Sequence, residues 1–217
     1  VVPVEQVPGF GKIRDVNSYT LGAMIDTAGG RAINYGIVGD DMASLYELCA
    51  RAHKETDMLI ISGGSSVGPR DYALEAISRL PDAHVLLHGI PISPGKPTIL
   101  ARAGNKPVWG LPGHVVSAMI VFEIVVKPFI ERLNGLEPAK RRRWPIPARL
   151  DRNIASAQGR IDFVRVRLMQ KDGEYWARPV LGKSGLIHTL VQADGIVAIS
   201  KNSEGLEKGT VVDVIPV

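Results

Sequence analysis

The sequence predicts an α/β domain, a mostly parallel sheet flanked by helices, followed by a small all-β, barrel-like domain. Two patterns carry the prediction. From Lys12 to Gly135, short apolar runs alternate four times with helical patterns, and each run ends in a Gly-rich or Asp-bearing loop. After Pro138 helical periodicity stops, and short alternating runs between turn residues replace it. The expected division is therefore residues 1–137 and residues 138–217.

Val1 to Phe10 has no pattern and reads as a lead-in. Leu21, Met24, Ile25 and Ala28 then fall at i, i+3, i+4 and i+7, predicting a helix with Asn17 or Ser18 as cap and Gly29-Gly30 as stop. Ala32 to Val38 is strand-like. Gly39-Asp40-Asp41 leads into a second helix with Leu45, Leu48, Cys49 and Ala52 on one face. The stretch from Asp57 to Asp71 organises the rest. Met58 to Ile61 is a short continuous apolar run, as in a buried parallel strand. Ser62-Gly63-Gly64-Ser65-Ser66 leaves almost no side-chain bulk, and Asp71 stands where a helix begins. Strand, glycine loop and helix start together suit an anion such as phosphate. The loop is neither a Walker loop nor a GxGxxG fingerprint, and a tight turn is its plainest alternative.

His84 to Ile90 and Thr98 to Ala101 read as strands, joined through Pro91-Ile92-Ser93-Pro94-Gly95-Lys96-Pro97. A further strand around Val108-Trp109 turns at Gly110-Leu111-Pro112-Gly113-His114 into a helix from about Val115. That helix is apolar nearly all round, as when buried in a core or against a second subunit. Pro128 is expected to bend it and Gly135 to end it. In a parallel α/β sheet, ligands lie outside the carboxyl ends of the strands, and the loops singled out above share that edge. In the second part, Lys171-Asp172-Gly173-Glu174 signals a hairpin. Val164, Val166 and Leu168 alternate with Arg165 and Arg167, predicting one apolar and one charged face. Ile196–Ile199 and Val211–Ile215 complete the unit.

The chain has 217 residues, 45% of them hydrophobic and 22% charged, enough for one large domain or one and a half ordinary ones. No apolar stretch reaches the length of a membrane span, and no signal peptide pattern opens the chain. Val at position 1 is expected of a processed or shortened chain. The single cysteine, Cys49, excludes an internal disulfide and any CxxC metal site, and leaves a cytoplasmic location as the expectation. Residues 138–183 carry a net charge of +8 and the remainder −4. Scattered aromatics and the linker position of Lys140-Arg141-Arg142-Arg143 make this a solvated linker rather than a nucleic-acid surface.

Asp40, Asp41 and Asp71 are carboxylates at loop-to-helix junctions along one sheet edge. Mg²⁺ takes hard oxygen ligands of this kind together with substrate phosphate, and helix capping is the alternative. Lys96 is a cation in a turn stiffened by two prolines. His53, His84, His88, His114 and His188 show no HxH or HExxH spacing, and none reads as a metal ligand.

In order along the chain stand Asp15-x-Asn17-Ser18, Gly39-Asp40-Asp41, Ser62-Gly63-Gly64-Ser65-Ser66-Val67-Gly68 with Asp71-Tyr72, Pro94-Gly95-Lys96-Pro97, and Gly110-Leu111-Pro112-Gly113 with Ser117-Ala118. As an ordered set these resemble the C-terminal half of molybdopterin molybdenumtransferase, the MoeA type that also forms the E domain of gephyrin. Gly159-Arg160-Ile161-Asp162-Phe163 and Ala193-Asp194-Gly195-Ile196-Val197 resemble that family's terminal β-barrel. The resemblance implies an Mg²⁺-dependent enzyme that inserts molybdenum from molybdate into adenylated molybdopterin and releases AMP. It implies Asp40 or Asp41 and Asp71 at the metal and molybdate. Asn17, Ser18, Gly63, Gly64, Ser65, Ser66, Gly68 and Lys96 would hold the pterin phosphate and nucleotide, with Pro112, Gly113 and Ser117 lining the same pocket. It also implies a homodimer and a molybdopterin adenylyltransferase as partner, with neither nucleic acid nor membrane involved.

Two departures stand out. Gly113-His114-Val115 replaces the family's usual Gly-Asn-Pro or Gly-Tyr-Pro, and the family's first half is not in this chain. The chain is therefore expected to bind ligand but turn over poorly. The same α/β domain also resembles molybdopterin adenylyltransferase, which the β unit disfavours. A non-catalytic scaffold of gephyrin type is the other alternative, which the acidic residues disfavour.

Overall fold

A computed structural model describes residues 1–64, 71–137 and 144–216. The chain forms two compact units, one of residues 1–90 and 95–136 and one of residues 91–94 and 137–217.

The first unit is a mixed α/β layer structure. Its strands are β1 (Leu59–Ser62), β2 (Ala83–His88), β4 (Ile99–Ala103) and β5 (Lys106–Leu111), in the order β1-β5-β4-β2. Only the β1–β5 ladder is parallel; β4 runs antiparallel to both neighbours, which corrects the expectation of a mostly parallel sheet. The reason is local. Gly104-Asn105 joins Ala103 to Lys106 as a two-residue hairpin loop, and so short a link cannot make the crossover a parallel pair needs. β1, β5 and β2 still share one direction, so the loops following them leave from one edge.

Ala32–Val38 forms no strand, contrary to expectation. β1 lies at the edge of its sheet, and among the described residues no backbone ladder reaches 32–38. The segment is instead held by side chains. Tyr35 Oη donates to Glu55 Oε2 at 2.7 Å, and Ile33 and Ile37 stay exposed.

The helices are α1 (Asn17–Thr27), α2 (Met42–Glu55), α3 (Tyr72–Ser78), α4 (Val115–Val121) and α5 (Lys127–Leu133). α1 ends at Gly29-Gly30 as expected: Gly29 takes φ +88° and Gly30 N–H donates to Ile25 O. Neither Asn17 nor Ser18 caps it. The Asp15 carboxylate accepts from Ser18 N–H at 3.1 Å and takes that role. Between α4 and α5 the residues Phe122–Val126 widen into a π-helical turn. Pro128 has no N–H to return to the preceding turn, so the predicted bend is realised there as a π bulge. Val116, Val121, Phe122 and Val126 are fully buried within the chain. Cys49, Ile77, Ile99, Ala101 and Val108 form a core between α2, α3 and the sheet.

The second unit is a small β-barrel. β6 (Ile146–Leu150), β8 (Ile161–Lys171), β9 (Glu174–Pro179), β10 (Gly195–Ile199) and β12 (Val211–Pro216) pair in the order β10-β12-β6-β9-β8, and β10 pairs back onto β8 to close it. The predicted hairpin is present. Lys171 faces Glu174, and Asp172 and Gly173 take φ +52° and +81°. Leu150, Val166, Ala177, Ile199 and Val214 fill the interior. β7 (Ile154–Ala155) and β11 (Gly205–Leu206) make a separate short ladder, and α6 (His188–Val191) lies in the connection after β9. β3 (Ile92–Ser93), contributed by the Pro91–Pro94 segment, adds to β8.

The expected charged face of β8 is only partly charged and exposed. Arg165 is buried, its Nη1 and Nη2 donating to Thr189 Oγ1 and Gly182 O at 2.9 Å each. The connection carrying α6 covers it, and burial pushes its guanidinium below the ordinary arginine range.

Candidate functional site

The parallel pair fixes the position of the site. Ser62 and Leu111, the last residues of β1 and β5, are in register, and Gly63 N–H continues the ladder by donating to Leu111 O at 3.0 Å. Beyond them the backbones of Gly63 and Gly113 lie against one another. A Cβ at Gly113 would sit 3.4 Å from Gly63 Cα, at ordinary contact distance, so the two strand exits run side by side with no side chain between them. Gly63 and Gly64 turn at φ +93° and +69°, and Gly64 O accepts from Ala73 N–H of α3 at 3.4 Å.

Asn17 joins these exits. Its amide Nδ2 donates to Ser62 Oγ at 2.6 Å and to Gly113 O at 2.9 Å, using both hydrogens of the group. Ser18 Oγ donates to Asp15. Asn17 thus reaches the site from the first turn of α1 instead of capping that helix.

Asp71 caps α3: its Oδ1 accepts from Leu74 N–H at 2.9 Å. The side chain is only 8% exposed, and Oδ2 has no hydrogen bond. His88 Nε2, at the end of β2, stands 3.3 Å from that oxygen. The turn carrying Lys96 starts at the next residue. Gly89 N–H donates to Thr98 O at 2.8 Å, while Ile90 N–H and Thr98 N–H both donate to Lys96 O at 2.9 Å. The backbone of Lys96 is pinned and the residue itself exposed. Asp71 and His88 are thus in contact, and Lys96 lies eight residues beyond His88 on the same unit.

Asp41 caps α2, accepting from Ser44 N–H at 2.9 Å. Hydrogen bonds from the Ser44 hydroxyl and backbone hold its carboxyl below the ordinary range. Asp40 is exposed. Among the described residues no three His, Cys, Asp or Glu side chains gather as a metal cluster, so Asp40, Asp41 and Asp71 do not form one. Capping accounts for the geometry of both Asp41 and Asp71. Pro112 and Ser117 are buried rather than exposed beside Gly113. Ser65, Ser66 and Gly68 lie outside the described residues, as does Lys140–Arg143.

The His88–Asp71 approach and the Asn17–Ser62 crosslink were not read from the sequence. His88 carried a signal in its place, the last residue before the glycine that opens the lysine turn. Taken together, the joined strand ends present side-chain-free backbone ordered by Asn17 and Ser62, and α3 opens on a buried carboxylate.

Comparisons with known proteins define the class. Residues 5–132 match the family described as a probable molybdopterin binding domain, and the chain belongs to that family. Residues 147–217 match the MoeA C-terminal region, domain IV, so the two units in sequence are of MoeA type. Molybdopterin molybdenumtransferase 1 of Mycobacterium tuberculosis is 30% identical over 222 residues, covering 99% of this chain and 51% of that protein. A Methanocaldococcus jannaschii protein provisionally named for molybdopterin biosynthesis is 40% identical over 94% of this chain and 47% of its own. The molybdopterin biosynthesis MoeA protein of Pyrococcus horikoshii has a similar structure, with TM-score 0.83 and 34% identity over 99% of this chain and 51% of that one. The chain spans about half the length of the curated relatives it matches. Among the described residues no helix is long and apolar enough to cross a membrane.

Proposed function

We propose that this chain is the ligand-holding half of a molybdopterin molybdenumtransferase, which takes adenylated molybdopterin and molybdate, inserts molybdenum into the dithiolene and releases AMP. The supporting observation is the meeting of Asn17, Ser62, Gly63 and Gly113 at the joined ends of β1 and β5. In this reading the glycine backbones admit the phosphates closely, and Lys96 offsets their charge. Asn17 and Ser18 order the wall on the α1 side. The oxygen of Asp71 that lacks a hydrogen bond is a hard donor and fits Mg²⁺ held mainly through substrate phosphates, with Asp40 or Asp41 as the further carboxylate. Bound there, the ion would neutralise charge on the phosphates. Asp71 would keep its Leu74 cap while doing so.

The partners in this reading are a second copy of the protein and a molybdopterin adenylyltransferase that delivers the adenylated pterin, in the cytoplasm. The match of residues 147–217 to the MoeA terminal region favours this over an adenylyltransferase-like activity. Equilibrium binding of adenylated molybdopterin is the test. The 217-residue chain is expected to bind it, and Lys96→Ala to bind at least tenfold more weakly, roughly the loss of one charge-assisted contact. Binding unchanged by Lys96→Ala, or ATP-dependent adenylation of molybdopterin by the chain, would contradict the proposal.

A further inference from the structure

Within the α/β unit, α3 and β2 are joined by the short turn from Arg79 to Asp82, where Ala83 N–H donates to Leu80 O at 3.2 Å. β2 packs back along α3, so its last residue, His88, returns to Asp71, the residue before the helix.

His88 is fixed at the backbone. It pairs in the ladder with Ile99, which is fully buried, and the next residue, Gly89, donates its N–H to Thr98 O at 2.8 Å. The imidazole is 44% exposed and has water available to it, yet Nε2 stands 3.3 Å from Oδ2 of a carboxylate that is only 8% exposed. Asp71 is committed on one side only: Oδ1 accepts from Leu74 N–H at 2.9 Å, and Oδ2 has no hydrogen bond. A buried carboxylate oxygen without a donor is costly. A turn of the half-exposed ring aligns Nε2–H with it, and that donor is available in the neutral ring as in the charged one. Bonds at such sites are often long or poorly aligned until the ligand arrives. A carboxylate oxygen accepts at two positions, so a bond from Nε2 leaves one for a hard cation. Carboxylates that hold metals are themselves hydrogen-bonded, and losing that bond typically weakens the metal about 10–100-fold.

We infer that His88 is a positioning residue for Asp71, fixing the carboxylate through Oδ2 in the orientation that receives Mg²⁺ together with substrate phosphate. This rests on the reading in which Asp71 helps to hold that ion. Every group involved belongs to the α/β unit.

ADP, a stable pyrophosphate-linked probe, tests this by calorimetry on the 217-residue chain, with Mg²⁺ and again with EDTA in its place. The unaltered chain is expected to bind more tightly with Mg²⁺, and Asp71→Asn to lose that gain. His88→Ala should weaken binding about tenfold with Mg²⁺ and less than about twofold with EDTA, a split that damage to the fold would not produce. His88→Gln, whose amide nitrogen takes the place of Nε2, should return to within about threefold of the unaltered chain. In the Asp71→Asn background His88→Ala should add less than about twofold. Equal losses with Mg²⁺ and with EDTA, no loss, no rescue by His88→Gln, or a loss that persists in Asp71→Asn overturns the proposal alone. So does tighter Mg²⁺-dependent binding by His88→Ala, which would make the imidazole a competitor of the ion. If His88→Ala does not fold, His88→Leu takes its place with the same expected split. No ADP binding by the unaltered chain, an affinity indifferent to Mg²⁺, or a full gain kept by Asp71→Asn removes the site reading and this proposal with it.

Discussion

The two units use polar groups in opposite ways. In the α/β unit they stand at strand ends, where backbone without side chains leaves room: Gly63 faces Gly113, and Asp71 keeps one buried oxygen without a hydrogen bond. In the barrel, Asp162 and Arg165 are buried and tie segments of their own unit together, Asp162 through Ser156 and Arg160 and Arg165 through Thr189 and Gly182. Asp162 Oδ1 and Arg165 Nε, like Asp71 Oδ2, have no hydrogen bond. The contrast is between strand ends left open by glycine and a barrel whose polar groups tie its own segments together. Leftover capacity on a buried charge is common to both units; the side-chain-free backbone at the strand ends is what differs.

Both units first require their cores. Trp109→Ala should cost about 3–5 kcal/mol, because this side chain is 1% exposed and meets Phe129 edge-on at 5.6 Å. Leu150→Ala in the barrel should cost about 2–5 kcal/mol by the same cavity argument, with the residue 0% exposed. Chemical denaturation measures both, and a loss below about 1 kcal/mol would break the account of either core.

Two glycines sharpen the comparison. Gly63 and Gly173 have similar φ, +93° and +81°, and a Cβ would meet nothing closer than 3.9 Å at either. Alanine at each should cost about 1–2 kcal/mol of backbone strain. ADP affinity should fall only for Gly63→Ala; equal binding by both variants would erase the distinction between the units.

Asp162 supplies a pH signature. Burial alone would raise its carboxyl, but the bonds from Ser156, Arg160 and Ser93 and the charge of Arg160 outweigh that and hold it below the ordinary carboxylate range. A depressed carboxyl stabilises the fold above its unfolded pKa, about 4, and that contribution is lost as pH falls through the folded value. The stability advantage of the unaltered chain over Asp162→Asn should be full at neutral pH and shrink below about pH 4. An advantage constant down to pH 2 would contradict this. The smallest effect concerns Cys49, whose thiol burial pushes up to about 11. Alkylation at pH 8 should be negligible in the folded chain and complete after unfolding.

Much of this was legible in the sequence because it depends on local chemistry. The helices came from periodicity, the Asp172-Gly173 hairpin from the φ > 0 its turn demands, and the bend before Pro128 from the missing N–H. What was not legible depends on partners remote in sequence. Ala32–Val38 has the composition of a strand, but among the described residues it pairs with no strand. Asn17 has the chemistry of a cap, yet its partners, Ser62 and Gly113, lie 45 and 96 residues away. Pro91–Pro94 reads as a loop between two strands of one sheet, and nothing within it announces that β8 will capture it. The lysine turn was visible as a motif, its fastening was not.

The most direct test of the central claim is an amide chemical-shift map of the isotopically labelled chain titrated with ADP. The account predicts that the Asn17 side-chain amide and the backbone amides of Gly63, Gly64, Lys96 and Gly113 move together with one dissociation constant. Shifts gathered in the barrel unit, or no saturable shift at all, would contradict it.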